Sequence, residues 1–352
     1  MSVIKAQNYN ILIDEEEALF TSFIDRLKPS SVFVIVDENT ELYCLPRLKT
    51  YMKIPFSSIR ISSGEQYKNL KTSTQIWNAL ISHGADRKSL IINLGGGVIG
   101  DMGGFVASTY MRGMRFIQIP TSLLSQVDAS IGGKLGIDFL AYKNMIGVFN
   151  NPEMVWIDSS FLNTLPDREL NSGLAEIYKH ALIHSNEHWD YLSARDKAIR
   201  NWPFTEIIER SVIIKNEIVE QDPFEQGLRK ILNFGHTIGH AVETYFSDKE
   251  NVLLHGEAIF IGMICEAYVS YTKSMISRDD LEKIQKVLSE HIQERPSLLG
   301  MSEELLGLMK KDKKNTNQKL MLSLLNGIGS CAYDIECHPN EITDAFRFFD
   351  NY

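Results

Sequence analysis

Long apolar runs, paired cysteines and net positive charge are all missing from this sequence of 352 residues. The longest apolar run of its C-terminal half, Ala258 to Cys265, is far short of the roughly 20 residues that span a bilayer. The stretch MSVIKAQNYNILIDEEE lacks the apolar core of a signal peptide. Together these absences predict a cytoplasmic protein with no membrane partner. Cys44, Cys265, Cys331 and Cys337 are scattered and form no CxxC pair, so they read as reduced thiols and not as a disulfide framework. A net charge of −9 gives no global attraction to nucleic acid, and an anionic ligand would need a local basic cluster. No internal repeat or low-complexity segment is visible. What is present, 44% hydrophobic and 23% charged residues, is the composition of a globular chain long enough for two domains with their own cores.

The first half alternates strand and helix patterns. Phe20, Phe23, Ile24 and Leu27 recur at helical spacing within residues 14–27. Val32 to Val36 is a short apolar run of the kind found in buried parallel strands, and it ends at Asp37. A helix carrying Ile76 and Leu80 stops at Gly84, a fitting C-terminal glycine. Ser89 to Leu94, Phe116 to Ile119 and Met154 to Ile157 supply further strands. This alternation predicts a parallel sheet with helices on its faces. From about residue 168 the patterns become long and helical; Ile207, Ile214 and Ile218 share one face. The reading is an α/β N-terminal domain with a Rossmann-like parallel sheet over residues 1–170, and a mostly α-helical C-terminal domain over 171–352.

Gly95, Gly97 and Gly100 spell GxGxxG directly after a strand. Glycines there let backbone N–H groups approach a phosphate, and a following helix N-terminus favours negative charge. The acidic residue that a standard dinucleotide fold places about 20 residues on would fall near Pro120, so the usual wiring fails. Asp37, at the end of an earlier strand, is the better ribose candidate. Residues 120–147 collect Thr121, Ser122, Gln126, Asp128, Lys134, Asp138, Lys143 and Asn144 among glycines and apolar residues. That mixture is poorly explained as a plain helix. Lys134 follows two glycines, which would let its ammonium act as a point charge beside phosphate.

The segment from Arg229 to Glu257 concentrates three of the nine histidines, His236, His240 and His255. His236 and His240 are four apart and would share a helix face, as two ligands of one metal do. No glutamate stands between them as in HExxH. Glu176, in SGLAEIYKHAL, is a candidate carboxylate ligand, although its spacing from Lys179 equally permits a local ion pair. Spacing leaves the choice between His240 and His255 open.

Taken together these segments resemble the 3-dehydroquinate synthases of the sugar phosphate cyclase family. The matching pieces are SGEQYK at 63–68, GGGVIGD at 95–101, STYMRG at 108–113, PTSLLSQVDASIGGKLGID at 120–138 and YKNMIGVFNNP at 142–152. They continue as SGLAEIYKH at 172–180, GLRKILNFGHTIGHAVE at 227–243, LHGEA at 254–258 and DKKN at 312–315, in order along nearly the whole chain. The resemblance implies Glu176, His236 and His255 as ligands of Zn2+ (or Co2+), with His240 a substrate contact. It implies NAD at Asp37, Glu65, Lys68, Gly97, Val98, Ile99, Gly100, Asp101, Thr121, Ser122, Phe161 and Thr164, with Lys134 and Lys143 near cofactor or substrate. Its substrate set is Asp128, Lys134, Asn144, Lys179, Lys215, Arg229, Asn233, His240 and a lysine of DKK, Lys313 or Lys314. Arg112 matches an arginine that reaches into a partner subunit's site, which implies a homodimer. One departure is visible: DPFE at 222–225 stands where the family often has DExE. A local loop change without loss of activity is expected there.

The implied reaction converts 3-deoxy-D-arabino-heptulosonate 7-phosphate, an anionic sugar phosphate, to 3-dehydroquinate and phosphate. It proceeds by transient oxidation with NAD, β-elimination of phosphate, re-reduction, ring opening and an intramolecular aldol closure. NAD is regenerated, so the implied enzyme is a carbon–oxygen lyase of the shikimate pathway that leads to aromatic amino acids. Two other readings remain: a sister cyclase such as 2-deoxy-scyllo-inosose synthase, and a metal-dependent polyol dehydrogenase with net hydride transfer. The sisters tend to replace some of Arg229, Asn233 and His240.

Overall fold

A computed structural model describes residues 2–140, 142–247, 249, 251–311 and 320–352. The chain forms two compact units, Met1–Leu170 with Pro203–Asn216, and Asn171–Trp202 with Glu217–Tyr352.

Among its described residues the first unit holds nine strands: β1 (Ser2–Lys5), β2 (Asn10–Ile13), β3 (Val32–Val36), β4 (Ser57–Arg60), β5 (Leu90–Gly95), β6 (Arg115–Pro120), β7 (Lys134–Phe139), β8 (Tyr142–Phe149) and β9 (Met154–Ile157). Seven of them make one sheet in the order β1-β2-β9-β6-β5-β3-β4. Every pairing in it is parallel except β1 with β2. Helices α1 (Glu17–Leu27), α2 (Glu38–Tyr43), α3 (Leu45–Tyr51), α4 (Leu70–Ser82) and α5 (Gly97–Thr109) accompany it. The unbroken apolar run of β3 follows from burial on both faces. Val32, Val34 and Val36 pack with Phe20, Ile24 and Leu48. Phe33 and Ile35 turn the other way, onto Ile76, Leu80 and Val106. Each such side chain stabilises the fold by roughly 1.5–3 kcal/mol relative to exposure.

The parallel strands β3, β5, β6 and β9 and helices α1 and α4 match the sequence reading, and Gly84 ends α4 with φ 70°. β1, β2 and β4 have four residues each and were not visible in the pattern. Residues 120–147 are indeed no plain helix. A π-helical turn at Ser125–Ala129 leads into the antiparallel hairpin β7–β8.

The second unit is helical. α6 (Asp167–His184) and α8 (Phe204–Gln221) each begin in residues assigned to the first unit and run on into the second. Then come α7 (Asn186–Ser193), α9 (His236–Phe246), α10 (His255–Thr272), α11 (Arg278–Ser289), α12 (Ser302–Lys311) and α13 (Pro339–Asp350), with a two-stranded sheet of β10 (Leu320–Leu325) and β11 (Cys331–Cys337). α10 is buried from Gly256 to Ala267, which explains why it is apolar around its whole circumference. α9, α11 and α13 pack against it. Among the described residues no helix is long and apolar enough to cross a membrane.

Candidate metal and substrate site

Two histidines occupy the first positions of two helices. His236 opens α9 and His255 opens α10. α10 is pulled onto α6 at Gly256, whose N–H donates to Ser172 Oγ at 3.0 Å and where a Cβ would collide with the Ser172 backbone. Glu257 accepts from the Leu254 N–H at 2.8 Å and so caps the helix locally. This docking carries His255 to Glu176, which projects from α6. Glu176 Oε1 is 3.4 Å from Nε2 of His236 and 3.4 Å from Nε2 of His255. The ring nitrogens on the other side have acceptors: His236 Nδ1 lies 3.1 Å from the Phe234 carbonyl and His255 Nδ1 lies 3.4 Å from Glu243 Oε2. Both imidazoles therefore have outer partners that favour an Nε2 directed at one point, the usual arrangement of metal-bound histidine. One carboxylate and two imidazoles suit Zn2+ or Co2+ and leave open coordination positions.

Charge around that point is high. Glu176 is 0% exposed and pairs with Lys179, itself 1% exposed. Burial works against the charged form of His255, but the Glu243 and Glu176 carboxylates outweigh it and raise its pKa to about 10. A cation bound at Nε2 would take the place of that proton. His240 sits one turn along α9, its ring centroid 5.0 Å from that of His236 and 5.7 Å from that of His255. One ligand atom from each of the three histidines can lie within 4.8 Å of the others.

Arg229, 1% exposed, and Asn233 belong to a short 3-10 segment, Leu228–Asn233, just before α9. The loop that leads into it is organised by Asp222, whose carboxylate accepts from the N–H groups of Gln226 (2.9 Å), Gly227 (2.7 Å) and Arg229 (3.0 Å). Pro223 has no N–H to offer, but its carbonyl accepts from Arg229 Nη1 at 2.5 Å, and Glu225 accepts from Asn233 Nδ2 at 2.7 Å. The DPFE variation thus leaves Arg229 and Asn233 tied to the loop. Partial burial disfavours the charged form of Asp222, but its three N–H donors hold the carboxyl below its ordinary value of 3.8. A depressed acid stabilises the fold above its ordinary pKa and ceases to do so as pH falls through the lower folded value. Protection of the Gln226, Gly227 and Arg229 amides, measured against their intrinsic exchange rates, is therefore expected to hold through the neutral range and to fall only below pH 3.8. In Asp222→Asn protection should be about tenfold lower at neutral pH, the scale of a lost capping interaction, and the difference should vanish at low pH. Amide exchange by mass spectrometry checks this.

In the first unit a second polar group gathers at the ends of the parallel strands. Lys68 Nζ donates to Asp101 Oδ2 and to Asn144 Oδ1, both at 2.7 Å, and stands 3.9 Å from Glu65. Burial opposes its charge, but Asp101 and Glu65 outweigh burial and raise its pKa. Asn144 sits at φ 49° with its N–H on Asp138. Lys215 Nζ donates to Asp128 Oδ1 at 2.7 Å and also to the Asp128 carbonyl. Lys134 begins β7 and Lys143 lies on β8, both exposed. α5 starts at Gly97 after Gly96, with no side chain capping its first N–H groups. Thr121, at the end of β6, donates its N–H to Gly95 at the end of β5 (3.0 Å). The Ser122 and Ser125 hydroxyls are 2.9 Å apart.

Not every residue named from the sequence stands at such a cluster. The side chains of Ile99 and Phe161 lie in the two hydrophobic cores, and Val98 packs partly against one of them. Thr164 closes a 3-10 segment by donating to the Phe161 carbonyl. Asp37 Oδ1 accepts from the Thr40 N–H at 2.8 Å and so caps α2. Arg112 is exposed at φ 67°, next to Met111 at φ 48°. Lys313 and Lys314 lie outside the described residues. Asp222 and Glu243 escaped the sequence reading. For Glu243 the available sign was its place seven residues after His236, on the same face of α9.

A unit built on a parallel sheet followed in one chain by a helical unit is a fold found in sugar phosphate cyclases. A 2-deoxy-scyllo-inosose synthase complexed with carbaglucose-6-phosphate, NAD+ and Co2+ shares it, with TM-score 0.86, 23% identity and 99% of each chain covered. So does the 2-epi-5-epi-valiolone synthase of Streptomyces hygroscopicus with NAD+ and Zn2+ bound, with TM-score 0.86, 25% identity, and 99% of this chain and 98% of that one covered. Family models described as the N-terminal and C-terminal parts of 3-dehydroquinate synthase match residues 58–172 and 173–315. The 3-dehydroquinate synthase of Thermodesulfovibrio yellowstonii is 40% identical over 96% of both chains, and that of Parabacteroides distasonis 37% identical over 93% of both. The chain belongs to the 3-dehydroquinate synthase family.

Proposed function

We propose that this chain is a 3-dehydroquinate synthase, converting 3-deoxy-D-arabino-heptulosonate 7-phosphate to 3-dehydroquinate and phosphate with NAD and Zn2+ or Co2+ bound. The observation that carries the reading is the approach of Glu176 Oε1 to Nε2 of both His236 and His255, with His240, Arg229 and Asn233 on the same and the preceding segment. Glu176, His236 and His255 are the assigned metal ligands. The first unit is assigned NAD, with the phosphates at the start of α5 (Gly97 to Asp101) and further contacts from Asp37, Glu65, Lys68, Thr121, Ser122, Lys143 and the Phe161–Thr164 segment. An uncapped helix start supports the phosphate assignment.

When bound, the metal would supply Lewis acidity to a substrate hydroxyl, and NAD a transient acceptor for the hydride of the carbon that bears it. This chain's own residues bind and orient. Arg229 offers a planar fork for a carboxylate or phosphate, and Lys134, Lys179 and Lys215 offer point charges. Asp128, Asn144 and Asn233 offer neutral or acidic hydrogen-bond partners, and a lysine of DKK joins them. His240, with Asn144, is assigned to proton handling, a role that histidine side chains often fill in general acid–base catalysis. The sister-cyclase reading is disfavoured by retention of Arg229, Asn233 and His240 together, and by relatives of 37% to 40% identity named 3-dehydroquinate synthase. We place the enzyme in the cytoplasm as a homodimer that Arg112 completes. The exposed Phe139, Leu140, Tyr142 and Met145 of the β7–β8 hairpin support a covered apolar surface on the first unit.

Incubating Zn2+-loaded protein with the heptulosonate phosphate and catalytic NAD should release inorganic phosphate. A chelator should stop the release, and added Zn2+ or Co2+ should restore it. Phosphate release that a chelator leaves untouched would defeat the metal assignment.

A further inference from the structure

α9 opens on an assigned metal ligand yet has no cap of its own. Its N-cap residue is Gly235, at φ 79° and without a side chain, where Ser, Thr, Asp or Asn is the usual choice. None of those would fit: a Cβ at Gly235 would collide with Met263 of α10. In an ordinary capping box two side chains satisfy the N–H groups of the N-cap residue and of the third helical residue. Here those groups belong to Gly235 and Ile238, and a single carboxylate from α10 takes both. Glu266 Oε2 accepts from the Gly235 N–H at 2.6 Å, and Glu266 Oε1 accepts from the Ile238 N–H at 3.1 Å. Glu266 is 0% exposed. A carboxyl group so deeply buried is costly unless its oxygens are bonded, and N–H donors at the positive end of a helix are partners that offset the cost.

The helix that supplies this carboxylate also opens on His255. One helix therefore carries one ligand as its first residue and grips the first turn of the helix that carries the other. His236 lies between the two gripped amides, so its backbone position is set by Glu266. We propose that Glu266 is a positioning residue of the metal centre, holding the first turn of α9 so that His236 Nε2 meets Glu176 and His255. The inference rests on the metal-site reading given above.

The test compares Co2+ titrations of the wild-type protein, Glu266→Gln and Glu266→Asp, followed by visible absorption, with thermal unfolding of the metal-free proteins alongside. Gln keeps the size but sets an NH2 group against one of the two N–H donors. Co2+ affinity is expected to fall roughly 10–100-fold in Glu266→Gln, the effect of losing an outer partner of a metal ligand, with an altered Co2+ spectrum. Glu266→Asp should recover part of the affinity. A Glu266→Gln protein that unfolds at a lower temperature but binds Co2+ with wild-type affinity and spectrum overturns the proposal, since a purely structural clamp would do just that. A wild-type protein that takes up no Co2+ refutes the metal-site reading itself, and the inference with it. Should Glu266→Gln fail to fold, hydrogen exchange on the wild type decides. The Gly235 and Ile238 amides are expected to slow on Co2+ addition, and unchanged exchange there overturns the proposal.

Discussion

Glu176→Gln is expected to bind neither Zn2+ nor Co2+ at concentrations that saturate the wild type, and its turnover should fall with its metal content. The loss should exceed the roughly 10–100-fold that removal of an outer partner costs, because a direct ligand is lost. A second effect comes with it. Glu176 and Lys179 form an ion pair with both members buried, so neutralising the carboxylate strands the ammonium. Breaking such a pair from one side costs about 3–5 kcal/mol of stability. The double variant Glu176→Gln/Lys179→Met should therefore regain much of that stability while still binding no metal. His240→Ala gives the contrasting result. It should keep the metal, by inductively coupled plasma analysis, while turnover collapses. Metal retained in Glu176→Gln and lost in His240→Ala would reverse the two assignments.

Arg229→Lys should be nearly as damaging to catalysis, although the charge is conserved. The guanidinium is 1% exposed, is tied to the Pro223 carbonyl, and belongs to a segment ordered by Asp222. Lysine has neither the fork for bidentate contact with a carboxylate or phosphate nor the reach to keep the Pro223 bond. Losing a charge-assisted hydrogen bond costs about 1.5–3 kcal/mol, so kcat/KM for the heptulosonate phosphate should drop by roughly 10–150-fold. Metal content should not change. The loss should be visible in steady-state kinetics on fully metallated protein, and wild-type kcat/KM in Arg229→Lys would remove Arg229 from the substrate set.

How much of this was legible in the sequence varies from residue to residue for physical reasons. β3 and β5 could be read because both faces of the sheet are covered, so β3 is apolar throughout and β5 is interrupted by one polar residue, Asn93. The β7–β8 hairpin could not, because its exposed residues and glycines erase the alternation that marks a half-buried strand. Around the site, the identity of the chemistry-bearing side chains was visible in the motifs, but their grouping was not. Spacing on one helix drew attention to His236 and His240, whereas the two imidazoles that share Glu176 are His236 and His255, each the first residue of a different helix. That grouping depends on the contact of Gly256 with Ser172, a tertiary event with no local period. The carboxylates of Asp222, Glu243 and Glu266 went unread for the same reason. An acidic residue looks like solvated surface until the neighbours that donate to it are known.

The central claim is that NAD acts here as a recycled partner in a lyase reaction. The measurement that meets it most directly is to give Zn2+-loaded protein the heptulosonate phosphate with NAD well below the substrate concentration, and to follow phosphate, 3-dehydroquinate and NADH absorbance together. The account predicts many equivalents of phosphate and 3-dehydroquinate per NAD, in equal amounts, with no build-up of NADH. NADH that accumulates in step with substrate consumed, or substrate that gives no phosphate at all, would contradict it.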